Sequence, residues 1–277
     1  MKGRSILEAL VVFSVLHLVL LVPTGVRDLA RWENRALGGS YVTGALMVAL
    51  GLFMIIYRRY EFNEMGVSTE NWRTSINYGA RGWLFFLIPQ YLLSFILAWG
   101  VSYKDSIELA GFLGGVILIA GLLMARRNEA KPVTNSRLMV MGLVLFSPLA
   151  YRLIIPDISF GLLKELIWNI VVGGFAEEFF YRGYIQSSID LEFGKNWKFG
   201  KIKVGPGLLV SSLLYGLSRG LRTIKPWRGA YPVSSSWTLF AFTVGFFYGL
   251  IREASGDIIG SGTANSLIDA IGEAMVS

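Results

Sequence analysis

The chain contains no cysteine and a single histidine, His17. Without thiols it can form no disulfide, no thiolate nucleophile and no Cys-ligated zinc site, and one imidazole excludes a multi-histidine metal centre. Charge is also scarce: 16% of the 277 residues are Asp, Glu, Lys or Arg, against roughly 25% in an ordinary soluble domain. A chain this size folded in water needs a wetted polar surface, and lipid removes that need. What is present fits the same reading: 53% hydrophobic residues, 14% aromatics and a mean hydropathy of +0.53. Eight Trp and twelve Tyr suit the two interfaces of a bilayer.

Apolar runs near bilayer-spanning length recur along the whole chain, at about 6–22, 41–57, 83–99, 108–124, 138–155, 160–181, 205–218, 237–251 and 257–275. Runs this long, without alternation of period two, predict helices. The expected fold class is all-α: a polytopic integral membrane bundle of about eight transmembrane helices. Residues 1–159 supply N-terminal helices and 160–277 a motif-bearing core, within one membrane domain. Lys2 and Arg4 before Ile6–Val22 have the shape of a signal peptide, but no small-x-small cleavage site follows before Pro23, so a retained first helix is expected.

The net charge of +7 lies in short segments between apolar runs, which favours anionic lipid headgroups over nucleic acid as partner. Arg58, Arg59, Arg73, Arg81, Arg126, Arg127, Lys131, Arg137 and the run Lys195, Lys198, Lys201, Lys203 fall on the side of the N-terminus. The positive-inside rule then puts that side in the cytoplasm of a multi-pass protein of the cell membrane. The stretch 193–203, FGKNWKFGKIK, alternates aromatic and basic residues and reads as an interfacial anchor. Arg219, Arg222, Lys225 and Arg228 recur every third residue, and a snorkelling role is their default reading.

The segment from Val171 to Ile185 carries the chemistry. Glu177 and Glu178 stand side by side in an apolar run, with Arg182 four residues after the second. On a helix Glu178 and Arg182 share a face and can pair, while Glu177 points about 100° away. Carboxylates inside a membrane helix are costly and belong in a bundle interior or a watered cavity. An ion pair that only fixes helix packing explains the spacing as well as a reacting group does. Gly114-Gly115, Gly173-Gly174 and Gly260-x-Gly262 predict close helix contacts. Asp269 and Glu273 share a face of the last helix. His17 reads as a bundle-facing polar residue.

GGFAEEFFYRGYIQ resembles the first signature, Glu-Glu-x-x-x-Arg, of the CPBP family (CAAX proteases and bacteriocin-processing enzymes), which includes the type II CAAX prenyl proteases. The family's second signature is Phe-x-x-x-His and its third His-x-x-x-Asn/Asp. LLVSSLLYGLSRG aligns with the second, placing Tyr215 at the Phe and Arg219 at the His. GDIIGSGTANSLIDAIGEA aligns with the third, placing Asn265 at the His and Asp269 at its last position.

The resemblance spans about 160–275 and implies an intramembrane glutamic endopeptidase without metal or other cofactor. In it Glu177 is the base that activates water, Glu178 and Arg182 support it, and Asn265 and Asp269 lie on the oxyanion side. Tyr215 and Arg219 are then binding residues. Both motif histidines are replaced. Arg219 stays protonated and cannot relay a proton; it can pair with Glu177 and make it a poorer base. Asn265 keeps a donor but shuttles no proton. A lost general acid–base group costs roughly 10²–10⁴ in rate, and a lost oxyanion donor about 10²–10³.

The resulting expectation is a pseudoprotease that binds or scaffolds a transmembrane or lipidated peptide or another membrane protein. The alternatives are an active, divergent glutamic endopeptidase using Glu177 and a proton- or cation-coupled transporter.

Overall fold

The computed structural model describes residues 3–21, 24–37, 41–102, 106–127, 131–136, 139, 167–221 and 233–276. The expected span 138–155 and the first residues of 160–181 lie outside them, as do Arg222, Lys225 and Arg228. The described chain is all-α apart from one short hairpin. Its helices are α1 (Arg4–Leu21), α2 (Thr24–Leu37), α3 (Tyr41–Arg58), α4 (Trp72–Ala98) and α5 (Ile107–Arg126). Three consecutive segments, Asn169–Ala176, Phe179–Gln186 and Ser187–Phe193, then join into one long helix, α6, whose first two segments are wound wide in the π manner. Strands β1 (Trp197–Phe199) and β2 (Ile202–Val204) follow, then α7 (Pro206–Leu221), α8 (Ser235–Ser255) and α9 (Ile258–Val276).

Three described helices are long and apolar enough to cross a membrane: Tyr41–Arg58, Trp72–Leu97 and Ile107–Arg126. Two elements depart from the expected pattern. Helix α4 begins at Trp72, not near residue 83, because the polar residues of its first turns have partners on neighbouring segments. Arg73 donates to Asn135 Oδ1 (2.8 Å), Ser75 to Asp257 Oδ2 (2.5 Å) and Asn77 to the Lys131 carbonyl (2.6 Å). Helix α2, polar by composition, falls between the expected apolar runs 6–22 and 41–57; Leu29 and Trp32 stand exposed on it.

Several helix starts are capped by carboxylates from elsewhere in the chain, which satisfies N–H groups that the helix itself leaves unpaired. Glu192 accepts from Gly3 and Ser5 at the start of α1, and Glu33 from Val42 in α3. Asp190 accepts from Gly207 in α7, and Asp257 from Ile259 and Gly260 in α9. Helix α8 ends at Gly256, whose left-handed φ of +85° lets its N–H reach the Arg252 carbonyl.

These caps tie one end of the bundle together. The starts of α1, α4, α7 and α9 meet the ends of α3, α5, α6 and α8 there: Arg58 reaches Glu8, Lys195 pairs with Glu253, Arg252 donates to Ser187, and Lys201 donates its N–H to the Ala125 carbonyl. Helix α8 packs along α7 and α5, and α9 along α4 and the first part of α6. Small residues allow the crossings. A Cβ on Gly262 would lie 2.7 Å from the Gly174 carbonyl, and one on Gly114 would lie 2.9 Å from the Thr243 methyl. Gly115 faces open space.

Candidate functional site

Glu177 and Glu178 occupy the junction between the two wide-wound segments of α6, and both are buried. A π-wound turn shifts the angular register of the residues around it, and such turns recur at functional sites. Two carboxylate–guanidinium pairs result. Glu178 and Arg182, one turn apart and both fully buried, approach to 3.1 Å. Glu177 turns to α7, where Arg219 Nη2 donates to its Oε2 at 2.5 Å.

Tyr215 links the pairs. Its hydroxyl accepts from Arg219 Nη2 at 2.9 Å, and both guanidiniums lie over its ring, Arg219 at 4.9 Å and Arg182 at 4.7 Å from the centroid. Such contacts gain strength where water is excluded. The family motif has a phenylalanine here; the added hydroxyl is the group that holds Arg219 from the preceding turn of its own helix.

Helix α9 closes the site. Asn265, fully buried, directs Nδ2 to Glu178 Oε1 at 3.4 Å. Asp269, one turn on, lies within electrostatic range of Arg219, Tyr215 and Tyr248. The structure therefore brings Glu177, Glu178, Arg182, Tyr215, Arg219, Asn265 and Asp269 into one neighbourhood from three helices. The side chain of Glu273 lies outside the described residues.

At Arg219 itself the structure corrects the snorkelling expectation. Its side chain is only 14% exposed and is turned inward onto Glu177, because a buried carboxylate is a better partner for it than a distant headgroup. His17 stays away from the site, with Nδ1 2.9 Å from the Phe13 carbonyl and its ring against Phe13.

Sequence reasoning missed the contribution of α8. Arg182 Nη2 donates to the Gly245 carbonyl at 2.8 Å, and Tyr181 and Tyr248 complete an aromatic surround. Gly245 and Gly249 make this possible: a Cβ on the first would lie 2.9 Å from Tyr215 and 3.2 Å from Arg182, and one on the second 2.9 Å from Gln186 Oε1. The small-xxx-small spacing in the run TVGFFYGL was the available signal.

A second polar layer lies one to three turns towards the capped end. Gln186 donates to Glu253 (2.7 Å) and accepts from Ser211 (3.3 Å), and Glu253 also meets Arg252 and Lys195. Past the apolar run expected over 160–181, burial pushes the Asp190 carboxyl up to about 6, with Glu253 adding to the shift, while the Gly207 N–H, Lys195 and Arg252 oppose it.

Buried paired carboxylates, one held by an arginine of its own helix and one by an arginine of the next motif helix, define an α-helical membrane protein with a polar site inside its bundle. Residues 159–271 match the family model of the Type II CAAX prenyl endopeptidase Rce1-like proteins, so this C-terminal part of the chain is similar to the family its motifs resemble. No curated protein and no solved structure matches the chain. Among the described residues, no group of three or more His, Cys, Asp or Glu is arranged to hold a metal ion.

Proposed function

We propose that this chain is a multi-pass CPBP-like protein that has given up peptide-bond hydrolysis and acts as a binding or scaffold subunit for a transmembrane or lipidated peptide or another membrane protein. The observation that carries this reading is the Arg219–Glu177 pair at 2.5 Å. A glutamate that activates water must take up a proton, and next to it the family keeps a group able to exchange one. Here that place holds a permanent cation, fixed by both Glu177 and the Tyr215 hydroxyl. Protonating Glu177 would strand the buried guanidinium without its counter-ion, which is the expensive state of a broken ion pair. Asn265 faces Glu178 and supplies no titrating group.

About eight transmembrane helices in the cell membrane, with a cytoplasmic N-terminus, belong to the same proposal. Its support is the gathering of Arg58, Arg126, Arg127, Lys195 and Lys201 at the end that holds the start of α1.

The test compares four forms of the purified protein on prenylated and transmembrane peptides: unmodified, Arg219→His/Asn265→His, and each with Glu177→Gln. No turnover by the unmodified protein is expected, with turnover appearing in the double variant and vanishing on adding Glu177→Gln. Turnover by the unmodified protein that Glu177→Gln abolishes would overturn the proposal in favour of an active glutamic endopeptidase.

A further inference from the structure

The β1–β2 hairpin has two unlike faces. Its register pairs Trp197 with Val204, Lys198 with Lys203 and Phe199 with Ile202. Ile202 and Val204 are buried, and Phe199 stands edge-to-face on Phe246 of α8 with centroids 5.5 Å apart. Gly200, at φ +63°, makes the tight turn and comes so close to Ala125 that a Cβ there would lie 2.9 Å from its carbonyl carbon. Lys201 fixes the turn through its N–H on the Ala125 carbonyl at 3.1 Å. The hairpin is held against the end of α5 and the middle of α8.

On the outward face this packing leaves Lys198 and Lys203 exposed and directly opposite each other. Directly opposed like charges on neighbouring strands destabilise a hairpin, and among the described residues neither lysine makes an ion pair. The exposed Arg126 and Arg127 follow Ala125 beside the turn, and Trp197, on the face of Phe199, is half exposed at the other end of its strand. The two-stranded platform therefore presents two lysines outward, with two arginines beside its turn, at the level where α5, a helix long and apolar enough to cross a membrane, ends.

We infer that this face is a docking surface for anionic phospholipid headgroups of the adjoining leaflet. The level of the hairpin decides for lipid: its turn bonds to Ala125, the last residue but one of α5, while Phe199 reaches back along α8 to Phe246, so the platform lies at the end of a membrane-length helix and does not project beyond the bundle. Headgroup phosphates between Lys198 and Lys203 turn their mutual repulsion into shared attraction, and Trp197 takes the interfacial position suited to an indole. The inference does not depend on whether the intramembrane site is catalytic.

The test uses the full chain in nanodiscs of phosphatidylcholine alone and of phosphatidylcholine with added phosphatidylglycerol, at low and high salt, with thermal unfolding as the readout. Phosphatidylglycerol should raise the Tm of the unmodified protein by about 2–4 °C or more at low salt, and high salt should shrink that gain. Lys198→Gln/Lys203→Gln should raise Tm in phosphatidylcholine, by removing the repulsion, and lose at least half of the phosphatidylglycerol gain. Lys198→Glu, which makes the cross-strand pair attractive, should do both more strongly. An undiminished phosphatidylglycerol gain in these variants would overturn the assignment. So would an unmodified protein indifferent to phosphatidylglycerol, a result that would point to an acidic protein partner.

Discussion

Helices α3, α4 and α5 and helices α6, α8 and α9 are drawn from the same apolar residues but bury different things. In the first group only 28%, 22% and 39% of each spanning window is buried inside the protein, and large side chains such as Phe53, Ile88 and Phe112 stand outward. In the second group almost every residue from Phe240 to Arg252 and from Gly260 to Ile268 is buried, and the buried set includes Glu177, Glu178, Arg182, Gln186, Arg252 and Asn265. Hydropathy therefore marks the helices that shield the site more clearly than those that form it. A helix enclosed by other helices can carry polar groups if each finds a partner, whereas a lipid-facing helix cannot.

The largest expected contrast between the two regions is in charge removal. Arg182→Ala strands Glu178 and empties the space between Tyr181, Tyr215 and Tyr248; a broken buried pair costs about 3–5 kcal/mol, enough to abolish folded yield in detergent. Phe112→Ala on the outward face of α5 should stay within about 0.5 kcal/mol in the same thermal assay. An Arg182→Ala protein with unchanged Tm would mean that the pair is solvated.

Backbone crossings come next. Gly174→Val places its Cβ on the Ser266 hydroxyl and 3.2 Å from the Gly262 carbonyl, and overpacking of this kind costs roughly 1–3 kcal/mol. Loss of Tm by several degrees, with no rescue from Ser266→Ala, is expected because backbone as well as side chain is in the way.

A smaller effect is expected at the capped end, and it depends on pH. The folded protein holds the Asp190 proton up to about 6, against 3.8 in the unfolded chain. The folded state thus binds more protons between those values, so this contribution to stability is fully present below 3.8 and is lost as pH rises through about 6. Asp190→Asn keeps an oxygen for the Gly207 N–H and removes the titration. Its Tm profile between pH 8 and 5 should be flatter than that of the unmodified protein, and equal slopes would discount the Asp190 contribution. Smallest of all, Gly115→Ala meets nothing within 4 Å and exchanges a poor helix former for the best one, so a gain of up to ~1 kcal/mol is expected.

Much of the architecture was legible because the relevant signals are local. The apolar runs behind α1, α3, α5, α7, α8 and α9 follow from composition alone, and the Glu178–Arg182 pair follows from a four-residue spacing. The polar start of α4 was not legible, since Arg73, Ser75 and Asn77 become affordable only through Asn135, Asp257 and Lys131. Helix α2 and the β hairpin escaped for a related reason: a search for bilayer-length apolar runs has no means of finding short amphipathic elements.

The sequence by itself determined that the chain needs lipid around it and that its acidic pair shares a segment with a matching arginine; only through the family resemblance do arginine and asparagine align with motif histidines. The sequence left Arg219 between two readings, a snorkelling cation and a partner for Glu177. That choice was made in the tertiary structure, where the wide winding of α6 turns Glu177 towards α7 and the Tyr215 hydroxyl holds Arg219 against it. Partners 42 residues apart are set by the packing of whole helices, and in a water-poor interior a charge takes the counter-ion that packing places within reach.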